Sequence, residues 1–577
     1  MRILNILIHT VLPLIILIGI FLLTNRLGLG TDILTVADES FYLDSSFRIA
    51  QGDKYFYEVY TTMRGFDLYM SNIFIFFPDT SLLIIRYISL SIVVLSFAFH
   101  LTILNIVTKR LFFTWLLIPL CFFTPYNIFS LSYINLPYIF VINSISLLLL
   151  SYLTKNSIFS IIFAVLSAIL ALQLVFVYLP LMPVLPFVYT LILLTSRYFK
   201  YDDIFIKKIK IFMLAFILFS CMLLVVLFLK NILYDIIENI RITREAPMYG
   251  GNKFKALLIK ILFAANRWYI LIFVLVGLVG GFIYGRESHS RQKFYVLGFI
   301  FLLFSIFSCI GNYNASITQN FKDYFASNAF YVLAYVLLFA FAIGLFIQKL
   351  VNSREQNILF IIYAGTTTFF ILIILLVSAN SFEIIAETNW LGCIFLCYGL
   401  YLVNTKKLIP IYLFIILFAV HNYLHLHFSV YFQPNKTLLT NTFATPKLKG
   451  IYTEKYIVDF TDSLVSKIKI LCPETNKDFV LFYSNANWVE QGYNLYGFNY
   501  LTNTRPPLKA TIVCNIVSDF TMNKWLNQIK EENRIPKFVV ANKEKLNNKL
   551  PLDKFITNNY TVIDSLKCYH ILKNKNL

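Results

Sequence analysis

The sequence predicts an all-α polytopic membrane protein that ends in a small α/β domain. Three observations carry this. Hydrophobic residues make up 58% of the chain, including 58 Phe and 37 Tyr, well above the roughly 45–50% apolar content of an ordinary soluble domain. Charged residues are only 14%, and they cluster between apolar runs of roughly 15 to 25 residues, the length at which a helix crosses hydrocarbon. From about position 430 onward the composition turns Lys/Asn-rich. A soluble globular protein is excluded. The net charge of +19 does not point to nucleic acid, because 29 of the 49 basic residues lie before position 430, mostly between apolar runs. Membrane orientation accounts for them there.

In chain order, hydropathy places thirteen spans near residues 5–23, 82–107, 111–129, 135–153, 157–172, 174–195, 210–230, 267–285, 294–311, 327–348, 357–378, 389–403 and 408–427. The first run, Ile6 to Leu23, is long for a signal-peptide core and no small-residue cleavage site follows it, so it reads as a retained helix. Pro125, Pro137, Pro180, Pro183 and Pro186 fall in the closely spaced pairs and mark turns, kinks or re-entrant segments. With the N-terminus inside, every inner loop carries Lys or Arg, among them Lys109, Arg110, Lys155, Arg286 and Lys407. The outer connections 124–134 and 379–388 carry none, as the positive-inside rule requires. The expected location is the plasma (inner) membrane, with a cytoplasmic N-terminus and an extracytoplasmic tail.

The chain therefore divides into a multi-span domain, 1–429, and an extracytoplasmic α/β domain, 430–577. In the tail, β-like runs such as Phe479 to Tyr483 and Ala510 to Val517 alternate with helix-like stretches such as Asn523 to Glu532. Two outer segments are long, at about 24–81 and 231–266. Long loops of this kind usually carry function.

The first of them contains the most informative stretch, Thr35 to Asp53. Phe41, Leu43, Phe47 and Ile49 recur there at mixed helical spacing and predict a short amphipathic helix near the membrane surface, ending at Gly52. Asp38 and Glu39 stand at its N-terminus. Free backbone N–H groups and the helix dipole stabilise carboxylates in that place, so Asp38 is suited to accept a proton; as a local feature it is equally a helix cap.

These residues resemble the polyprenyl-phosphate-dependent glycosyltransferases of the GT-C fold, in particular bacterial relatives of protein O-mannosyltransferases and of the aminoarabinose transferase that modifies lipid A. The resemblance rests on Asp38-Glu39 after the first span, Tyr42 shortly afterwards, Gly52 at the helix end, and Arg86 within Leu83-Ile-Ile-Arg-Tyr-Ile-Ser-Leu90. The family's thirteen-span layout with an external C-terminal domain is also similar. Motif likeness covers about the first 90 residues. It implies inverting transfer of a sugar from a polyprenyl-phosphate donor to a lipid, glycan or protein acceptor on the outer face, with Asp38 as general base and Glu39 supporting it. Such a reaction needs a base and positive charge for the departing phosphate, and no nucleotide site. Where the family places a Glu-Lys-Pro or Pro-Pro-Gly, this chain reads Met63-Arg64-Gly65-Phe66-Asp67. Arg64 then stands in as the basic contact and Asp67 as the second acidic residue.

The second long loop adds Arg241, Arg244, Lys253 and Lys255. An outward basic cluster fits recognition of a lipid phosphate; it also fits a solvated surface helix whose Phe254, Leu257 and Leu258 dip into membrane lipid. Arg86 lies inside the second span, where a charge needs a partner. A loop carboxylate such as Asp67 or Asp79 would supply one. His421, His425 and His427 share an end of the last span without completing a metal motif, so a divalent metal is possible but not indicated. Eight Cys, five of them in apolar runs, make no disulfide framework. The segment Asn494 to Pro507 reads as an aromatic strand entering an Arg-Pro turn and is assigned no chemistry.

Competing classes fit less well. A secondary transporter places buried charges at mid-membrane in both halves, whereas here they crowd at outer ends. An O-antigen polymerase or ligase concentrates function in a large central outer loop. A non-catalytic protein that binds lipid-linked sugar is the remaining alternative.

Overall fold

A computed structural model of the protein describes residues 7–30, 38–55, 57–59, 65–122, 129–132, 135–196, 198–199, 201–245, 268–286, 290–317, 321–352, 358–377, 389–403, 408–428, 439–473, 478–483, 495, 497–509, 518–543, 546, 550–567 and 569–576. The chain is mostly helical and is a membrane protein. Among the described residues six helices are long and apolar enough to cross a membrane: Leu82–Thr108, Asn135–Leu153, Ser157–Leu181, Asp203–Leu229, Arg291–Ile310 and Ile358–Leu376. Length and composition thus support six crossings where thirteen were expected. Over the described side chains, shorter apolar stretches occupy the other seven positions: Ile8–Thr24, Phe112–Cys121, Val184–Thr195, Ile270–Gly285, Leu333–Lys349, Trp390–Val403 and Ile409–Leu424; two of them belong to helices of 32 residues, Phe321–Asn352, and 20 residues, Ile409–Phe428. The expected division of 157–195 at residue 173 corresponds to a helix that ends at Leu172 and a short one that follows over Leu174–Tyr178; a further break at Pro183 precedes the helix that starts at Val184.

The elements needed below are α1 (Leu12–Thr24), α2 (Asp38–Ala50), α3 (Phe66–Phe76), α4 (Leu82–Thr108), α5 (Leu117–Phe122), α6 (Asn135–Leu153), α7 (Ser157–Leu172), α8 (Leu174–Tyr178), α9 (Val184–Thr195), α10 (Asp203–Leu229), α11 (Ile232–Glu245), α12 (Trp268–Gly285), α13 (Ser290–Ile317), α14 (Phe321–Asn352), α15 (Ile358–Val377), α16 (Asn389–Val403) and α17 (Ile409–Phe428). Lipid tails are as apolar as Leu, so helices in a membrane associate through close packing and hydrogen bonds. Both devices are present. Gly277, Gly281 and Gly285 repeat at four-residue spacing on α12 against α14. A Cβ on Gly281 would lie 2.0 Å from the Phe341 carbonyl oxygen, and one on Gly344 would lie 2.2 Å from that of Leu278. Between α6 and α7, Ser144 and Ser167 donate to each other's carbonyl oxygens at 2.8 and 2.7 Å; Ser151 and Ser160 do the same at 2.5 Å each way. His100 on α4 ties α6 to α15 through Ser146, at 2.7 Å, and Tyr363, at 2.9 Å.

The tail builds a four-stranded sheet from β3 (Val480–Tyr483), β4 (Phe538–Asn542), β5 (Tyr560–Leu566) and β6 (Tyr569–Asn574), after a short pair β1 (Asn441–Thr442) and β2 (Tyr452–Thr453). Its order is β3-β4-β6-β5, with β3 parallel to β4 and the other pairs antiparallel. Alternation along the strands sends successive side chains to opposite faces. Val480, Phe482 and Val540 join α18 (Lys455–Leu471) on one side, and that core runs on into the membrane helices. Leu481, Tyr483 and Val539 join α20 (Asp519–Glu531) and α21 (Pro551–Asn559) on the other. The expected strand at 479–483 and helix at 523–532 correspond to β3 and α20; the run Ala510 to Val517 lies outside the described residues. The segment expected to be an aromatic strand instead forms a short helix, α19 (Phe498–Thr502).

The loop helix predicted to end at Gly52 is α2. It does not lie on a surface: from Glu39 to Arg48 every residue except the half-buried Phe41 is buried. The tail covers the side that an amphipathic reading leaves to solvent, and the polar residues of α2 are matched to partners there.

Candidate active site at the first loop helix

Three stripes of α2 follow from its 3.6-residue period. Glu39, Leu43 and Phe47 form one. Glu39 is buried and gripped by Arg86 of α4, whose Nε donates to Oε1 at 3.0 Å and whose Nη2 donates to Oε2 at 2.5 Å. Two more guanidinium protons go to the carbonyls of Leu27, at 2.8 Å, and Gly30, at 3.0 Å. The partner of Arg86 is therefore Glu39, and neither Asp67 nor Asp79. The planar fork of arginine suits this bidentate contact, and burying either charge alone would be costly. Gly30 in turn donates to the Tyr452 carbonyl of β2 at 2.8 Å. One ion pair thus joins the segment that follows α1, the start of α2, the helix α4 and the tail.

Asp44, Arg48 and Gln51 form the second stripe, which meets the tail. Asp44 caps the N-terminus of α19, accepting from the backbone N–H of Tyr500 at 2.7 Å and of Gly497 at 2.8 Å. Gly497 has φ +85 and sits so close to α2 that a Cβ would lie 3.0 Å from that of Ser40. At the other end of α19, Lys447 donates to the Tyr500 carbonyl at 2.6 Å and to Asn503 Oδ1. Its ammonium lies 4.2 Å from the Phe47 ring centre and 4.3 Å from that of Tyr500. An acid at the N-terminus and a cation at the C-terminus complement the helix dipole. Burial pushes the Asp44 carboxyl up to about 7 against those two N–H bonds. It pushes the Lys447 ammonium down to about 7 against the attraction of Asp79.

Beyond the end of α2, Asp53 is fully buried among three arginines. Arg48 Nε donates to it at 2.7 Å, Arg534 Nη2 at 3.3 Å, and Arg505 Nη2 also. Burial works to raise this carboxyl, and the charges of Arg48 and Arg534 outweigh it, holding Asp53 below the ordinary carboxylate range. Arg48 also donates to the carbonyls of Leu508, at 2.8 Å, Lys509, at 3.1 Å, and Glu58, at 2.9 Å. Arg505 and Arg534 both lie over the Phe479 ring, at 5.6 and 5.3 Å.

The third stripe is that of Asp38, Tyr42, Ser45 and Ser46. Asp38 is the first residue of α2; its side chain lies outside the described residues. Tyr42 is buried with its ring 4.5 Å from that of Phe66. Asp67, in the first turn of α3, is buried beside Ser45 and Ser46, and burial holds its carboxyl well above the usual range.

The second loop meets the tail from α11. Ile242 enters the α20 side of the tail core, and Lys524 of α20 pairs with Glu238 at 2.9 Å. Arg241 is half-exposed and engaged on its own helix by Glu238 at 3.0 Å and Glu245 at 3.8 Å, a solvated arrangement of small energetic weight. Arg64, Lys253, Lys255 and the side chain of Arg244 lie outside the described residues. So do the side chains of His425 and His427, whereas His421 is buried and bonded to Ser308. Among the described residues no group of three His, Cys, Asp or Glu is arranged to hold a metal ion.

The structure thus brings Glu39, Tyr42, Asp67 and Arg86 together around α2 and leaves Arg241 on a separate helix. Sequence reasoning passed over Asp44, Arg48, Asp53, Lys447, Arg505 and Arg534. The available signal was the four-residue spacing of Asp44 and Arg48, which sets opposite charges on one face of a helix otherwise read as half-apolar. No protein-family model matches the chain, and no curated protein matches it in sequence.

Proposed function

We propose that this protein is an integral membrane glycosyltransferase that moves a sugar from a polyprenyl-phosphate donor to an acceptor at the outer face of the membrane. The observation that carries the reading is the Glu39–Arg86 lock. An Asp-Glu pair opens a helix wedged between apolar membrane helices and a folded tail, and the second acid is held by two hydrogen bonds from an arginine that two backbone carbonyls hold in turn. That arrangement fixes the backbone of Asp38, and a general base must be held in place to contribute fully.

In this reading Asp38 takes the proton of the acceptor hydroxyl as the sugar leaves its phosphate. The phosphate carries its own negative charge, so basic residues at the outer rim stabilise it as the bond breaks. Arg64, Arg241, Arg244, Lys253 and Lys255 are the candidates. The orientation that goes with this chemistry has the N-terminus cytoplasmic and the tail extracytoplasmic, in line with the basic inner loops.

The test is Asp38→Asn in the full-length protein. Expected is loss of transfer, read as disappearance of the glycolipids or glycoproteins that distinguish cells with the gene from cells without it, at unchanged membrane insertion. Full transfer by Asp38→Asn removes the assignment, and a reporter fusion that places residue 38 in the cytosol removes the reaction scheme.

A further inference from the structure

Helix α10 marks where the bilayer ends. Between Lys210 and Lys230 run 19 residues without a charge, 211–229. They make about 28 Å of helix, which matches a hydrocarbon core about 30 Å thick. In the last turns Leu224, Val225, Phe228 and Leu229 point outward, each more than half exposed, as on a helix side that meets lipid tails. Lys230 therefore stands at the interface. Asn231 then takes a left-handed conformation, φ 57, and turns the chain into α11.

The sides of α11 are unlike. Ile236 is buried in one cluster with Leu227 of α10, and Ile242 is buried in the α20 side of the tail core. Glu238 receives Lys524 of α20 at 2.9 Å. Tyr234, Ile237 and Arg241, three and four residues apart, share another face and turn outward: Tyr234 is 70% exposed, Ile237 57% and the Arg241 side chain 55%. An aliphatic side chain between a tyrosine and an arginine suits a membrane interface. Tyrosine rings settle at headgroup level, and arginine lays its stem on apolar surface while its charge stays wet. The height allows it. From Ile232 to Ile237 the helix advances about 8 Å, so even an upright α11 would keep this stripe near a headgroup layer roughly 5–8 Å deep.

We propose that α11 is an interfacial helix seated on the bilayer, with Tyr234, Ile237 and Arg241 against phospholipid and the tail held on its other side. Only Lys230 and Asn231 separate the stripe from the lipid-facing turns of α10. That continuity names the bilayer, rather than a second protein, as the occupant. The tail helix α20 is thereby joined to a helix that meets the lipid. The seating does not depend on the chemistry proposed above and holds for any reaction at this rim.

The test places the photoreactive residue benzoylphenylalanine, one site at a time, at Tyr234, at Ile237, at Val225 of α10 and at Ser565 of β5. The full-length protein is reconstituted in nanodiscs of phosphatidylcholine and phosphatidylglycerol. All four positions are exposed, so the substitutions leave the packed core untouched. After irradiation the intact mass should shift by one phospholipid at 234 and 237, as at the lipid-facing 225, and should not shift at 565. Adducts at 225 with none at 234 or 237 overturn the proposal. A doubled protein mass from 234 or 237 makes the stripe a contact between two copies and overturns it too. Equal lipid labelling at 565 removes any distinction between α11 and the rest of the tail surface, with the same consequence.

Discussion

Replacing Arg86 by Lys keeps the charge and removes the fork, and the structure fixes what that costs. Arg86 makes four hydrogen bonds on three sides, to both oxygens of Glu39 and to the carbonyls of Leu27 and Gly30. An ammonium is a point donor and cannot span them. At least two bonds to a charged group are lost at about 1.5–3 kcal/mol each, so Arg86→Lys should destabilise by about 3–6 kcal/mol. Arg86→Met alone strands a buried carboxylate, with a loss of similar size. The double variant Arg86→Met with Glu39→Leu removes both charges and leaves only the two carbonyl oxygens unmatched, so it should cost less than the sum of its parts. Chemical unfolding of detergent-solubilised protein across the full cycle should give a coupling of about 2 kcal/mol or more. A coupling below about 0.5 kcal/mol, within the range of independent sites, would mean that the pair does not hold the start of α2. Glu39 would then not hold Asp38 in position.

Three further outcomes follow from the same physics. Asp53→Asn leaves Arg48 buried without its counter-charge, so it should loosen the tail by about 3–5 kcal/mol and speed proteolytic release of residues beyond 430; unchanged protease resistance contradicts the clasp. Lys447 is held near 7 when folded and near 10.5 when unfolded. The unfolded chain therefore binds the extra proton between those values, and stability should rise with pH across that window by up to about 1.4 kcal/mol per unit. Lys447→Met should flatten that part of a melting-temperature profile, and a wild-type profile already flat from pH 7.5 to 9.5 contradicts the burial argument. Gly281→Leu drives a side chain into the Phe341 carbonyl and should lower the melting temperature sharply, whereas Gly298→Leu, which meets nothing within 4 Å, should not; equal effects refute the α12–α14 packing.

Much of this was legible in the sequence because it depends on local pattern. Apolar runs marked the helices, and the Asp-Glu start and Gly52 stop bracketed α2 to within a turn. What stayed hidden depends on contacts between residues hundreds of positions apart. Nothing near Asp44 says that its carboxyl will cap α19, and nothing near Arg505 says that it will reach Asp53. The amphipathic reading of α2 failed for the same reason: Asp44 and Arg48 look like a solvent face until the tail arrives with matched donors and carbonyls.

The division of labour on α2 bears on which residues do chemistry. Glu39 is held by Arg86, and Asp44 and Arg48 are held by α19 and the backbone at 508–509. Both charged pairs of contacts join α2 to the elements around it, and matched polar partners are what a structural joint requires. Loosening either joint should free the start of α2, so the transfer proposed above is expected to fall with tail docking even in variants that leave Asp38 untouched.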